Sequence, residues 1–191
     1  MADLAYNYHD DVAEELINGE IVLMSPRPGF NHMNISSNIH GIFNSYLRKK
    51  TCKVFFEMEV RLTDKDRFIP DVLVVCDRNK IKKHGIEGAP DLVVEVLSPS
   101  TGKNDRFYKK DVYGKCGVKE YWLVEPGGMS IEVYLQRNGV LEPEEFYAVL
   151  PDYQAEDMRA KGKEIITEFK TSLFDDLVIS IDEVFEDLIK E

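Results

Sequence analysis

The chain has few of the features that mark membrane, secreted or zinc-binding proteins. No apolar stretch approaches the length of a membrane span, about 20 residues, and the first 11 residues have neither the basic start nor the apolar core of a signal peptide. Cysteine is scarce, and Cys52, Cys76 and Cys116 follow no metal-ligand spacing. Three cysteines without such spacing predict free, mostly buried thiols. The expectation is therefore a cytoplasmic protein with no membrane-spanning segment.

An excess of positive charge is also missing. The chain has 24 Lys and Arg against 35 Asp and Glu, and its net charge of -11 argues against general affinity for nucleic acids. The charge is uneven, since residues 78–119 contain ten basic and five acidic residues, whereas residues 142–191 contain five and fifteen. The basic middle segment is compatible with one phosphate-bearing partner. Solvated faces of helices and loops are the simpler explanation of the charge taken alone.

Length and composition predict one globular domain over residues 1–191. At 43% hydrophobic residues the chain can bury a sizeable core, and no repeat or linker divides it. The order of periodic segments is typical of the α/β or mixed α+β class, with helices on the faces of a mixed sheet. The predicted helices cover residues 8–18, 31–50, 103–116 and 180–190; the predicted strands cover 20–24, 54–62, 68–76, 91–97, 118–125, 130–136 and 164–170; residues 77–90 and 137–163 are predicted loops, the second with one further strand near Tyr147.

The stretch Asp91–Thr101 carries the most informative anomaly. Its strand has two apolar faces, so it is predicted to be covered on both sides. Glu95 interrupts this apolar run, and a lone buried carboxylate is costly unless it is paired or binds a metal. Glu95 is therefore a candidate corner of a metal-dependent site.

Asp71 is the second candidate. It shares a face with Leu73 and Val75 in the preceding predicted strand. Carboxylates on two adjacent strands predict a site for one Mg²⁺ or Mn²⁺. A backbone carbonyl such as that of Val96 would add a third oxygen ligand.

Lys109 is the third candidate. On a helical wheel it falls among the inward-facing residues of the helix after Glu95, whereas Lys110 does not. A lysine beside two carboxylates would orient water and stabilise charge on a phosphate. Separately, each residue has an ordinary structural explanation, such as a turn or a lysine extended along the surface. The joint spacing of Asp71, Glu95 and Lys109 around one strand–helix unit favours function.

Several motifs taken together resemble a known family. They are Glu15-Leu-Ile-Asn-Gly-Glu20, Pro70-Asp71, Glu95-Val-Leu-Ser-Pro-Ser, Lys109 with Tyr113, Gly117-Val-Lys-Glu-Tyr-Trp122 and the Leu-Phe-Asp-Asp-Leu-Val-Ile-Ser-Ile run near the C-terminus. The combination resembles the putative restriction endonuclease family, abundant in cyanobacteria, of the PD-(D/E)XK nuclease-like superfamily. The resemblance covers nearly the whole chain and implies a restriction-endonuclease-like central mixed β-sheet flanked by helices.

The resemblance also implies roles for particular residues. Asp71 and Glu95 match the family's metal-binding carboxylates, and Lys109 matches its catalytic lysine. This chain departs from the superfamily pattern at Leu97, because the superfamily normally places its lysine there.

Two further positions of the family, Glu20 and His32, are candidate supporting residues. For Glu20, a role in or beside the metal site and a role in a turn stay equally open. For His32, a structural hydrogen bond or a role at the helix start is favoured over catalysis.

Three functional hypotheses follow. The first is an endodeoxyribonuclease that hydrolyses DNA phosphodiester bonds with Mg²⁺ or Mn²⁺ as cofactor. For this enzyme the resemblance implies a homodimer, because nucleases of this superfamily often cut both strands as dimers. The second retains the nuclease fold as a nucleic-acid or protein binding module with weak or no catalysis; the net charge of -11 and Leu97 motivate it. The third is an assembly protein whose acidic C-terminal third binds a partner.

Overall fold

The computed structural model describes residues 13–24 and 27–189. Within these ranges no helix is both long and apolar enough to cross a membrane. The strands are β1 (Glu14–Ile17), β2 (Glu20–Leu23), β3 (Lys53–Phe56), β4 (Val60–Thr63), β5 (Asp66–Phe68), β6 (Val72–Val75), β7 (Ile81–Lys82), β8 (Gly85–Glu87), β9 (Leu92–Val96), β10 (Glu120–Glu125), β11 (Ser130–Arg137), β12 (Val140–Ala148), β13 (Glu168–Lys170) and β14 (Val178–Ser180). The α-helices are α1 (Phe30–Tyr46), α2 (Gly102–Asn104), α3 (Lys110–Cys116), α4 (Asp152–Ala160) and α5 (Ile181–Val184).

Two six-stranded sheets organise the described part of the chain. The central sheet has the order β12-β11-β10-β9-β6-β3, and it is mixed because β9 and β10 are parallel while its other pairs are antiparallel. The second sheet, which we call the covering sheet, has the order β2-β1-β5-β4-β8-β7 and contains one parallel pair, β4 with β8. The predicted mixed α/β class with a mixed central sheet and helices is confirmed.

Strand β9 lies at the centre of both hydrophobic cores. On one face of the central sheet, Leu92, Val94 and Val96 pack in a cluster with Ile39 of α1 and Trp122 of β10. Because side chains alternate along a strand, the opposite face of β9 joins a second cluster that contains residues of the covering sheet and α3. The prediction that this strand is covered on both sides is confirmed. Glu95 is the one charged side chain in this buried strand.

The helix predicted for residues 8–18 is wrong where the structure describes it. Glu14–Ile17 is strand β1, paired antiparallel with β2, and residues 1–12 lie outside the described part. Asn18-Gly19 is a typical helix end and accounts for the predicted bound at residue 18, but both residues have positive φ, 52° and 83°. An Asn-Gly pair in this conformation is the turn of a two-residue β-hairpin.

The single strands predicted for residues 54–62 and 68–76 are each divided between the two sheets. The first becomes β3 in the central sheet and β4 in the covering sheet, and the second becomes β5 and β6. Glu57, with φ of 47°, turns the chain between β3 and β4. Apolar residues alternate through this corner, so the pattern does not mark it.

Three other segments also differ from the sequence predictions. The predicted loop at 77–90 contains β7 and β8. In residues 137–163 the strand predicted near Tyr147 is confirmed as β12, which is longer than expected, whereas α4 was not predicted. The long edge strand β12 pairs with β11 although it is rich in exposed polar residues. The C-terminal helix predicted for 180–190 is limited to α5, Ile181–Val184, in the described residues.

The prediction of free thiols is wrong for two of the three cysteines. Cys52 and Cys76 form a disulfide, whereas Cys116 is free. They lie one residue beyond the paired positions Lys53 and Val75, so they are direct neighbours across two antiparallel strands. Their separation of 24 residues in the sequence hides this proximity.

Glu120 connects the central sheet to the C-terminal segment, which gives a test of the fold. Its fully buried carboxylate accepts hydrogen bonds from Trp122 Nε1 at 2.6 Å and from Ser172 N and Oγ at 2.7 and 2.5 Å. Glu120→Ala should lower the free energy of unfolding by about 2–4 kcal/mol, because buried donors would lose their acceptor. Urea denaturation measures this loss. The exposed Glu168 of β13 is the control, and equal losses for Glu120→Ala and Glu168→Ala would contradict the assigned role.

Candidate active site

The two predicted carboxylates face each other across neighbouring strands. Val72 of β6 pairs with Val94 of β9, so the same register places Asp71 opposite Glu95. Directly opposite residues project to the same face of a sheet. Asp71 and Glu95 are only 8% and 4% exposed. Asp71 lies just before β6 rather than within it.

Asp71 is held by contacts on one of its two oxygens. Its Oδ2 accepts a hydrogen bond of 2.6 Å from Val96 N and lies 3.4 Å from His32 Nε2. Burial lowers the pKa of His32, but the hydrogen bond and negative charge of Asp71 outweigh it, and the net pKa is raised. His32 thus contacts the candidate site through Asp71.

Glu95 is held in a similar way. Its Oε1 accepts a hydrogen bond of 3.0 Å from the Tyr113 hydroxyl and lies 3.4 Å from Lys109 Nζ. Burial raises the pKa of Glu95 well above its usual range. The positive charge of Lys109 opposes this shift, whereas the negative charges of Asp105 and Asp71 reinforce it.

Lys109 is surrounded by carboxylates and is only 2% exposed. Its Nζ lies 2.9 Å from Glu15 Oε1 and 3.2 Å from Asp105 Oδ1, in addition to Glu95. Burial lowers the pKa of Lys109, but the three carboxylates more than compensate, so the pKa is raised. Lys109 is therefore an ammonium ion at neutral pH and does not accept a proton there.

A π-helical turn, Asp105–Lys109, aims this lysine inward. The turn connects α2 to α3, and it buries Asp105 and Lys109 on the side that faces the sheets. The Tyr121 hydroxyl donates a hydrogen bond of 3.0 Å to the Asp105 carbonyl, which fixes the turn against β10. Single π-turns inside helices are often found at functional sites.

Glu15 and Asp105 also belong to the cluster, although neither is a predicted site residue. Glu15 lies in β1, and besides contacting Lys109 its Oε1 accepts a hydrogen bond of 2.8 Å from Ile69 N. The hairpin turn at Asn18-Gly19, had it been recognised, would have placed Glu15 on a strand. Asp105 lies four residues before Lys109, which is the spacing of facing residues on a helix.

Not every predicted site residue joins this cluster. The structure brings Asp71, Glu95, Lys109 and His32 together, but it does not bring Glu20 to them. Glu20 is exposed in β2, while Glu15 of the same hairpin occupies the cluster.

The cluster carries a surplus of negative charge. Four carboxylates, those of Glu15, Asp71, Glu95 and Asp105, accompany the single ammonium group of Lys109. Like charges at short range oppose one another's ionisation, in line with the raised pKa of Glu95. A bound cation would relieve this repulsion.

The donor set fits a hard divalent cation. Among the described residues no hydrogen-bond donor reaches Asp71 Oδ1 or Glu95 Oε2, since the contacts found are to Asp71 Oδ2 and Glu95 Oε1. Mg²⁺ often uses one or two carboxylates and keeps several waters. The described residues contain no group of three or more His, Cys, Asp or Glu side chains arranged around a metal position. A site here would therefore depend on two carboxylates and water, and a role for the Val96 carbonyl stays a prediction.

Comparison with solved structures shows the class of fold. The chain resembles a crystal structure from Anabaena variabilis, described as a putative nuclease belonging to DUF820, with a TM-score of 0.69. The two share 23% sequence identity over 91% of this chain and 89% of the other.

The family follows from the sequence comparison. Residues 2–162 match the Uma2 family, described as putative restriction endonuclease, and the chain belongs to this family. It is also 32% identical over 107 residues to slr1290, an uncharacterized protein of Synechocystis sp.. That match covers 54% of this chain and 56% of the relative, so the chain spans about half the length of this curated relative.

The contact between His32 and Asp71 predicts a pH dependence. The folded pKa of His32 is raised, so the pair's contribution to stability is present below the unfolded value of about 6.5 and is lost as the pH rises through the folded pKa. NMR titration should place the pKa of His32 above this ordinary value, and Asp71→Asn should lower it. His40, whose pKa burial lowers, is the internal control. An unchanged His32 titration in Asp71→Asn would exclude the proposed coupling.

The surroundings of Lys109 predict a large stability effect. Lys109→Met should lower the free energy of unfolding at neutral pH by about 3–5 kcal/mol, because buried carboxylates would lose their counter-charge. The loss should shrink in acid, where the carboxylates become protonated. Lys110→Met is the matched control, because Lys110 lies over the Tyr134 ring and outside the cluster. Denaturation at two pH values measures both effects, and equal losses for the two variants would refute the role of the cluster.

Proposed function

We propose that the protein is a metal-dependent endodeoxyribonuclease that hydrolyses DNA phosphodiester bonds. The observation that carries the proposal is the pair of buried, facing carboxylates, Asp71 and Glu95, beside an ammonium group held by further carboxylates. Membership of a family described as putative restriction endonuclease supports the same reaction class.

Asp71 and Glu95 would hold Mg²⁺ or Mn²⁺, since each has one carboxylate oxygen that accepts no hydrogen bond within the described residues. When bound, such a cation lowers the pKa of a coordinated water and neutralises charge on a phosphate. The hydrogen bond from Val96 N and the contact with His32 orient Asp71.

Lys109 supplies positive charge rather than a base. Its ammonium group compensates Glu95, and because it is 2% exposed its charge would act on a phosphate only through the field of the site and not by direct contact. Glu15 and Asp105 act as positioning residues, because they fix both the place and the protonation state of Lys109.

The alternative function is a nuclease-fold binding module with weak or no catalysis. The net charge of -11 and the apolar Leu97 support it, since Leu97 occupies the usual lysine position of the superfamily and is buried in a core cluster. A homodimer and a cytoplasmic location stay predictions from the sequence.

Cleavage and metal binding together test the proposal. The wild-type protein should cleave DNA only with Mg²⁺ or Mn²⁺, and Asp71→Asn or Glu95→Gln should reduce the rate by more than about 100-fold because metal ligation is lost. Calorimetry with Mn²⁺ should show binding to the wild type and weakened binding to both variants. Asp111→Asn is the control, because Asp111 lies on the exposed side of α3 and pairs with Lys115.

The outcomes separate the two functions. A folded wild-type protein that neither binds Mn²⁺ nor cleaves DNA would refute the nuclease proposal. DNA binding without either property would favour the binding module.

A further inference from the structure

Strand β2 forms one edge of the covering sheet and is exposed along its whole length. Within the described residues it pairs with β1 alone. Three consecutive aliphatic side chains of this strand are accessible to solvent, since Ile21 is 63% exposed, Val22 37% and Leu23 60%. Soluble proteins rarely leave such an edge uncovered, because its unpaired backbone groups and apolar side chains pair readily with another strand.

The outer edge of β2 has backbone hydrogen-bonding groups to offer at two residues. Across the hairpin, Met24 N donates a hydrogen bond of 2.8 Å to the Ala13 carbonyl. Bonded residues alternate along an antiparallel pair, so Val22 also bonds to β1, whereas the N–H and C=O groups of Ile21 and Leu23 point away from it. These groups require an extended strand as their partner.

The other three edges of the two six-stranded sheets are protected. The edge strand β12 carries Glu142, Glu144 and Glu145, so two copies of it would repel each other. Strand β7 has two residues, one of which is Lys82, and β3 is half-buried along its length. Charge, shortness and coverage are the usual means by which proteins prevent pairing between sheet edges. Strand β2 is the exception in this part of the fold.

A second copy of β2 satisfies this edge in one particular arrangement. In an antiparallel pair centred on Val22, Ile21 of each copy lies opposite Leu23 of the other. Both residues then exchange their N–H and C=O groups with the second copy, and their aliphatic side chains pack against each other across the two strands. Every copy presents the same edge, and a two-fold axis is the commonest symmetry of protein oligomers.

The charges around β2 permit this pairing although the whole chain has a net charge of -11. In the antiparallel arrangement Glu20 lies opposite Met24 of the second copy, and the two Glu20 residues are about 14 Å apart. This distance exceeds the Debye length of about 8 Å at physiological ionic strength, so their repulsion is screened. On the neighbouring strand, Glu14 is paired with Arg67 at 3.0 Å. A parallel arrangement would instead place the two Glu20 side chains next to each other.

We propose that β2 is the interface of a homodimer, in which two copies pair antiparallel about Val22 and join their covering sheets into one continuous sheet. The inference rests on the chemistry of the edge and not on the proposed nuclease function.

The proposed interface lies next to the candidate active site. Glu15, whose carboxylate is 2.9 Å from Lys109 Nζ, pairs with Val22 across the hairpin. Pairing about Val22 therefore places the Cα atoms of the two Glu15 residues about 15 Å apart, across three strand spacings. The two clusters around Lys109 would thus lie on the same side of the joined sheet, one on each side of the two-fold axis.

Sedimentation velocity tests the dimer without DNA or metal. Two short strands form a small interface, which is typical of a weak complex, so the wild type should change from monomer to dimer between about 5 and 500 µM. Ile21→Lys combined with Leu23→Lys should keep the protein monomeric throughout this range, because the lysines of the two copies would face each other. Val140→Lys is the matched control and should dimerise like the wild type, because Val140 is 57% exposed on the edge strand β12. Circular dichroism melts verify that the variants fold.

Cysteine cross-linking tests the register. In a Cys116→Ser background, which removes the free thiol, Val22→Cys places two thiols at directly opposite positions with Cα atoms about 4.5 Å apart, within disulfide range. Ile21→Cys places the two Cα atoms about 8 Å apart, beyond that range. Oxidised glutathione should therefore cross-link Val22→Cys about 10-fold faster than Ile21→Cys. Exposure alone favours the opposite order, since Ile21 is 63% exposed and Val22 37%.

Three results would overturn the proposal. They are a wild type that stays monomeric up to about 500 µM, equal cross-linking of Ile21→Cys and Val22→Cys, and equal loss of the dimer in the lysine variants of β2 and β12. The outcomes are also separate from those of the nuclease proposal. Metal-dependent cleavage by a protein that is always monomeric would support the nuclease and reject the dimer, whereas a dimer with this register that cleaves no DNA would do the reverse.

Discussion

The ammonium group of Lys109 must stay charged in a place that is almost closed to water. Desolvation of a lysine is costly, and only nearby negative charge compensates it. That charge comes from Glu15 of the covering sheet, Glu95 of the central sheet and Asp105 of the π-helical turn. One ion-pair cluster therefore joins the three layers that form the site. Removing one member of the cluster would leave the others as uncompensated buried charges, which is strongly destabilising. The packing of the three layers therefore depends on the charge balance of the site.

This constraint also explains how the chain accommodates Leu97. A lysine two residues after Glu95 would share its face of the strand, because side chains alternate. Leu97 instead packs in the core cluster on that face, and Lys109 reaches Glu95 from the following helix. The positive charge beside Glu95 therefore comes from a helix and not from the strand itself. The π-helical turn is the local irregularity that allows Lys109 to point inward beside the buried Asp105.

The parts of the site that follow from regular periodicity could be predicted from the sequence. The alternation of a strand placed Glu95 on the face of Leu97, and a helical wheel turned Lys109 inward and Lys110 outward. Glu15 does not follow in this way, because Asn18-Gly19 is typical both of a helix end and of the hairpin turn that it forms here. Contacts between elements distant in the sequence leave no periodic signal.

The protein and its proposed DNA substrate are both negatively charged, and the cluster is where this repulsion has to be overcome. A phosphodiester that approaches four carboxylates and one lysine meets a net negative field. In the proposed function a divalent cation would bind to such a site first, and DNA would bind afterwards. The bound cation would replace the repulsion between carboxylates and phosphate by attraction. The chain as a whole has a net charge of -11, with an excess of positive charge in the segment of residues 78–119, so a cation at the cluster would be a principal source of attraction for a phosphate.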